Sequence, residues 1–235
     1  MLYKMIDVSD PAGVDFARAS SAGVKVCAGF IGGATPHIWT PEDWARPLNA
    51  GMWVMGIYVP AQDPAYYTAS AGARDAVEWS AVQAPAPLDV IICDIEADMY
   101  DANPEGVNAY LQGWCSTVGM AGKAGVYGPL RAFMGWPARP RLAWVSAWQG
   151  DSGSWTGQWP TDLGSSPSLA DIQGWQFAAG VDLGFGTVDL SVIEIPDSII
   201  APAAPAAPPE PTFTQSQVTN ALARADAAFR SALGI

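Results

Sequence analysis

Eight short apolar runs recur along the chain: LYKMIDVS (2–9), VKVCAGFI (24–31), MWVMGIYV (52–59), LDVIICDIE (88–96), KAGVYG (123–128), RLAWVSAW (141–148), ADIQGWQF (170–177) and TVDLSVI (187–193). Several are apolar at almost every position, as strands buried on both faces of a parallel sheet must be. Helical segments fill the first five gaps: PAGVDFARASSAG, TPEDWARPLNAG, PAYYTASAGARDAVEWSAVQA, NPEGVNAYLQGWCSTVGMAG and a short GPLRAFMG. In the second of these, Thr40 is placed to cap the helix and Pro41 to occupy its first position. Strand and helix in alternation mean a parallel barrel or a doubly wound sheet.

The last third breaks the pattern. SWTGQWPTDLGSSPSL separates the sixth and seventh runs without a helical period, and only AAGVDLGFG separates the last two. A parallel crossover needs about a dozen residues or more. The final two strands are therefore expected to form an antiparallel hairpin. The reading that fits all eight runs is an α/β fold: a TIM-type β/α barrel with helices in the first five units and a strand-rich, irregular closing portion.

The barrel is assigned to residues 1–200. Residues 201–211, APAAPAAPPEP, read as a stiff Pro/Ala linker. Residues 212–235 read as an amphipathic helix with Val218, Leu222, Ala225, Phe229 and Leu233 on one face. A lone helix of that length is marginal in water, so it is expected to dock on the barrel, on another copy, or on a larger assembly. The N-terminus MLYKMIDVSD lacks the basic start and apolar stretch of a signal peptide, and no run of about 18 apolar residues is present to span a membrane.

Charge narrows the partners. With 23 acids against 11 bases the formal net charge is −12, which argues against a nucleic-acid partner because phosphate binding needs a basic face. Cys27, Cys93 and Cys115 are odd in number and lie in apolar or helical runs, so buried free thiols are expected rather than a disulfide framework or a zinc site. No P-loop, dinucleotide fingerprint or GxSxG turn occurs, and neither a metal nor a cofactor is expected. His37, the only histidine, reads as a solvated loop residue.

In β/α barrels chemistry gathers at the C-terminal strand ends. Asp7 ends the first run, and Asp94 and Glu96 end the fourth. Two apart on a strand, Asp94 and Glu96 share a face, with Ile95 turned the other way into the helix layer. Two carboxyls that close cannot both ionise freely, which yields a proton donor beside an ionised partner. Glycoside hydrolysis needs that division of labour. Eleven tryptophans support a sugar site, since indole stacks on a pyranose C–H face while its N–H bonds a hydroxyl. Trp144, Trp148 and Trp175 lie in or beside late strands, and Trp155 and Trp159 in the long connection are the best placed for substrate.

IDVSD, the DIE triplet, GVYGP, WVSAW, GWQF and VDLGFGTVDLSV occur in an order that resembles the glycoside hydrolase family 25 muramidases over residues 5–193. The resemblance implies that Glu96 is the general acid. Asp94 would be its partner, orienting an N-acetyl group or stabilising an oxocarbenium-like state. Asp7 and Asp189 would complete the acids of the cleft, lined by Tyr127, Trp148, Trp175 and Gln176. The implied substrate is the peptidoglycan glycan. The second strand departs from that family: GFIGG followed by TPEDWARPLNAGMWVMGIYVP looks more like the related actinobacterial glycoside-hydrolase-like barrels. Two functions are therefore expected. One is a muramidase of bacteriophage origin, held in the host cytoplasm before release and acting at the cell wall. The other is a non-catalytic or weakly glycan-binding barrel built into a virion tail through residues 212–235.

Overall fold

The apolar runs become the strands of a closed barrel in the computed structural model, which describes residues 2–80, 90–117, 123–133, 140–146 and 172–195. The strands are β1 (Leu2–Asp7), β2 (Val24–Gly33), β3 (Trp53–Val59), β4 (Ile91–Asp94), β5 (Ala124–Pro129), β6 (Leu142–Ser146), β7 (Gly174–Asp182) and β8 (Thr187–Glu194). They are hydrogen-bonded in sequence order around the circle. Pairs from β1–β2 to β6–β7 are parallel. β8 runs antiparallel to both β7 and β1, so the short final connection gives the expected hairpin and the hairpin closes the barrel. Trp148, Trp155 and Trp159, the 201–211 linker and the 212–235 helix lie outside the described residues.

The pleat sorts the side chains into two cores. Met5, Val26, Met55, Val90, Ile92, Leu142, Trp144 and Ile193 fill the barrel interior. Their neighbours Ile6, Cys27, Val54, Ile91, Cys93, Val145 and Val192 face outward into a layer shared with Phe16, Trp44, Val107, Leu111 and Trp114 of the helices. Cys27 and Cys93 are buried free thiols and Cys115 is a partly buried one.

Among the described residues, six α-helices cover the outside: α1 (Phe16–Ser21), α2 (Pro41–Asn49), α3 (Ala69–Ser80), α4 (Ala97–Ala102), α5 (Pro104–Ser116) and α6 (Leu130–Phe133). α2 starts with a full capping box: Thr40 Oγ1 accepts from the Asp43 N–H, and the Asp43 carboxylate accepts from the Thr40 N–H at 2.9 Å. α4 was not anticipated. The expected helix begins at Asn103, the N-cap residue of α5, but a separate short helix forms between it and the fourth strand. Pro104 disfavours helical geometry at the residue before it, and Asn103 (φ −152°, ψ 69°) breaks the path into two helices.

α3 and α5 meet at glycines. A Cβ on Gly72 would stand 2.0 Å from the Tyr110 carbonyl oxygen, and one on Gly113 2.0 Å from that of Ala69. This close approach buries Asp75, 2% exposed, inside a cage of three phenols. Tyr58 and Tyr110 donate to Oδ2 at 2.7 Å each, and Tyr66 donates to Oδ1 at 2.7 Å. A buried carboxylate is tolerated only when its lone pairs are met in this way. Asp75→Ala, which leaves the three phenols without their common acceptor, is expected to cost on the order of 3–5 kcal/mol in urea unfolding. A cost below about 1 kcal/mol would show that the cage does not hold α3 to α5.

Candidate active site

Four carboxyls meet at one mouth of the barrel: Asp7, Asp94 and Glu96, which the spacing of the acids places at the C-terminal strand ends, and Asp189, which the family resemblance adds. Asp7, Asp94, Glu96 and Asp189 line one cavity of about 200 Å³ together with Phe30, Ile57, Tyr127, Trp144 and Gln176. Asp7 and Asp94 are the last residues of β1 and β4, Glu96 lies two residues past Asp94, and Asp189 is the third residue of β8. The inward side chains of the layer below (Met5, Ile92, Leu142, Ile193) close the floor with apolar volume.

Asp7 and Asp189 stand directly opposite each other in the antiparallel β1–β8 ladder. Gln176, on β7 and 3% exposed, ties them together. Its Nε2 donates at 3.1 Å to Asp7 Oδ2 and at 3.1 Å to Asp189 Oδ2, while its Oε1 accepts from the Tyr127 hydroxyl. The Gly180 N–H adds a 2.7 Å bond to Asp189 Oδ1. Burial, then Asp189, then Asp94 hold the Asp7 carboxyl well above the usual carboxylate range. Burial also raises Asp189, but hydrogen bonds from Gly180, Asp7 and Gln176 pull it back. Asp7 is therefore the member of this pair that keeps the proton. Burial, then Asp94 and Asp7, raise the Tyr127 phenol, which stays a neutral donor.

Asp94 and Glu96 form the second pair. Asp94 is the last residue of β4, 7% exposed, and its Oδ1 is buried without a hydrogen-bond partner. Burial, then Glu96, raise its carboxyl well above the usual range. Glu96 stands exposed at the rim as the N-cap residue of α4, yet its side chain makes no capping bond. Partial desolvation, then Asp98 and Asp189, raise it, against a lowering bond from the Ala97 N–H. α4 is held on two sides. Asn103 Nδ2 donates to the Pro64 carbonyl at 2.7 Å, and Arg131 Nε donates to Asp101 Oδ1 at 2.9 Å. Ile95 between the two acids is fully buried in the outer core, as the alternation requires.

The aromatic assignment needs correction. Trp175 is 3% exposed and packs against Phe177 in the outer core, at a centroid distance of 5.3 Å. It does not line the cavity, because adjacent residues of a strand face opposite sides and Gln176 takes the inward one. The tryptophan that does line it is Trp144. Its ring meets Tyr127 edge-on at 4.7 Å, and its indole N–H donates to Ser191 Oγ at 3.2 Å. A Cβ at Gly174 would lie 2.9 Å from the Trp144 ring, so glycine there makes room for it. Strand parity was the signal: Trp144 is the register partner of Tyr127, already placed inside. Phe30 and Ile57 were also missed, having no polar atom to mark them. His37 lies by α2, its Nε2 3.8 Å from Asp43 Oδ2, and is not among the lining residues. Among the described residues, no group of three or more His, Cys, Asp or Glu is arranged to hold a metal ion.

A closed β/α barrel with acids ringing one mouth is an architecture that glycoside hydrolases share with enzymes of many other kinds. The family is narrower. Residues 18–189 match the model of the Rv2525c-like, glycoside hydrolase-like domain, and the chain belongs to that family. No curated protein matches the sequence. Among solved structures it is similar to a Streptomyces coelicolor lysozyme (15% identity, TM-score 0.59, covering 84% of this chain and 94% of that one). It is also similar to a family 25 glycosyl hydrolase from Bacillus anthracis (16%, 0.55, 83% and 90%). The Tat-secreted Mycobacterium tuberculosis protein Rv2525c, crystallised with L-tartrate, gives 15% identity and a TM-score of 0.56, over 83% and 97% of the two chains. At such identities the likeness is one of fold.

The raised Asp7 carboxyl has a measurable consequence. A group whose folded-state pKa lies above its unfolded one supports the fold fully below the unfolded value and loses that support as pH rises. Asp7→Asn keeps the shape and removes the charge. It is expected to match the wild type in thermal stability near and below about pH 4 and to become progressively more stable than it toward neutrality. A constant difference across that range would mean that Asp7 titrates normally.

Proposed function

We propose that the protein is a peptidoglycan-directed glycoside hydrolase with Glu96 as proton donor and Asp94 as its partner. The observation that carries the reading is the buried, unpartnered Oδ1 of Asp94 in the same cavity as the rim carboxyl of Glu96. A buried acceptor without a donor is unfavourable in the free protein and becomes favourable when a ligand N–H arrives. An amide N–H of a 2-acetamido sugar bonded there favours the ionised form of Asp94 and shifts the pair's shared proton toward Glu96. Glu96 then protonates the glycosidic oxygen, and ionised Asp94 faces the positive charge that develops on the ring. Trp144 and Tyr127 present the aromatic wall against which a pyranose packs. The lysozyme among the structural neighbours supports the choice of substrate class.

The reading extends to the rest of the chain. The Pro/Ala spacer and the amphipathic pattern of residues 212–235 support a barrel tethered to a second partner. That suits a bacteriophage protein, either a lysin reaching the wall from within or a virion component. In the virion case the barrel would serve as a glycan-holding element even without turnover.

Purified protein is expected to clear peptidoglycan, with Glu96→Gln lowering the rate by about 10²–10⁴-fold while leaving the fold intact. The acidic carboxyl pair places the falling limb of the activity profile above the ordinary glutamate range, because Glu96 must hold its proton. Failure to release soluble glycan from any bacterial wall, actinobacterial walls included, would leave the binding role in its place.

A further inference from the structure

The charge balance of the cavity is one-sided. Its walls carry Asp7, Asp94, Glu96 and Asp189, with no Lys, Arg or His among the described lining residues. The groups behind them add none: Asp98 acts on Glu96, Cys27 packs behind Asp7, and Cys93 and Tyr67 lie near Asp94. The arginines of the adjoining loops are engaged elsewhere. Arg18 donates to the Gly184 carbonyl, Arg46 to those of Pro11 and Val14, and Arg131 to Asp101. The sequence holds no basic residue at all between Arg141 and Arg224, the stretch that contains β6, β7 and β8.

Three of the four carboxyls have protein partners or solvent. Asp7 and Asp189 share the Gln176 amide, and Glu96 is open at the rim. Asp94 Oδ1 has neither. What is missing is a donor, and in a ring of uncompensated acids the donor favoured most is a positively charged one. Among the described residues these acids are not arranged as a metal-ligating group. A volume of about 200 Å³ is below the roughly 300–1,000 Å³ that encloses a drug-sized ligand, so it takes one ring. Trp144 and Tyr127 line the cavity, and an aromatic lining favours a cation as well as a sugar.

We propose that the cavity recognises a saccharide ring bearing a protonated amine, the 2-ammonium of a de-N-acetylated hexosamine, in preference to the acetamido form. The ammonium donates to Asp94 Oδ1 and is flanked by the remaining carboxyls. This deepens the reading of the cavity as a sugar site but does not depend on turnover. Because burial and mutual repulsion favour the protonated form of these acids, a bound cation displaces protons, and binding is accompanied by proton release.

Calorimetric titration of the full chain with D-glucosamine and with N-acetylglucosamine tests it, each run in two buffers of different ionisation enthalpy. Glucosamine is expected to bind at least about tenfold more tightly, the lower end of what a hydrogen bond to a charged group contributes. It is also expected to release protons, which the acetamido sugar does not do to the same extent. Asp94→Asn is expected to remove the preference, while Glu78→Gln, an exposed acid on α3, leaves it unchanged. Equal or weaker binding of glucosamine, no binding of either sugar, or a preference that survives Asp94→Asn overturns the proposal. If Asp94→Asn does not fold, the proton count on the wild type decides alone. A protein that clears N-acetylated peptidoglycan yet binds both sugars alike keeps the hydrolase reading and loses this one. A glucosamine preference in a protein that clears nothing does the reverse.

Discussion

The acids of the cavity are arranged by the hydrogen bonds that close the barrel. β8 enters antiparallel between β7 and β1, and its register sets Asp189 directly across from Asp7. A slip of one residue would turn every inward side chain of β8 outward and exchange Asp189 for Val188 or Leu190. Gln176 comes from the other neighbour of β8 and bonds both acids. The seam that completes the sheet is therefore also the seam that assembles half of the cavity. The other half, Asp94 and Glu96, is delivered by a single strand end on the opposite arc.

That division explains what could be read directly from the chain. Strands were legible because apolar runs with short, countable gaps leave few topologies, and the final gap was too short for anything but a hairpin. Asp94 and Glu96 were legible because two residues apart on a strand is one face. Trp175 was misplaced where Trp144 belonged, since a tryptophan-rich stretch invites assignment by residue type when parity decides. Parity itself fails further along β7, where the register shifts between Gln176 and Ala178, and Phe177 and Ala178 both pack in the outer core. α4 and the Asp75 cage were not legible at all. The first depends on Pro104 interrupting a helix. The second depends on tyrosines from three separate segments meeting one aspartate.

The cage and the cavity show two answers to one difficulty, a carboxyl out of water. Asp75 receives phenol donors on both oxygens and binds α3 and α5 to the sheet. Asp94, only 7% exposed, has an oxygen that receives nothing. The difference is not a matter of available partners, because this chain meets a buried acid fully when the fold needs it. An orphaned buried acceptor costs about 1–3 kcal/mol, a sizeable fraction of the stability of a domain. Among the described residues Asp94 bridges no elements, and its carboxyl lines the cavity instead. The barrel alone does not determine a reaction, since one fold hosts many. An unmet acceptor at the end of β4, beside a rim carboxyl and under an aromatic wall, is a more specific statement than the fold. It supports the proposal that a donor from outside the protein completes the site.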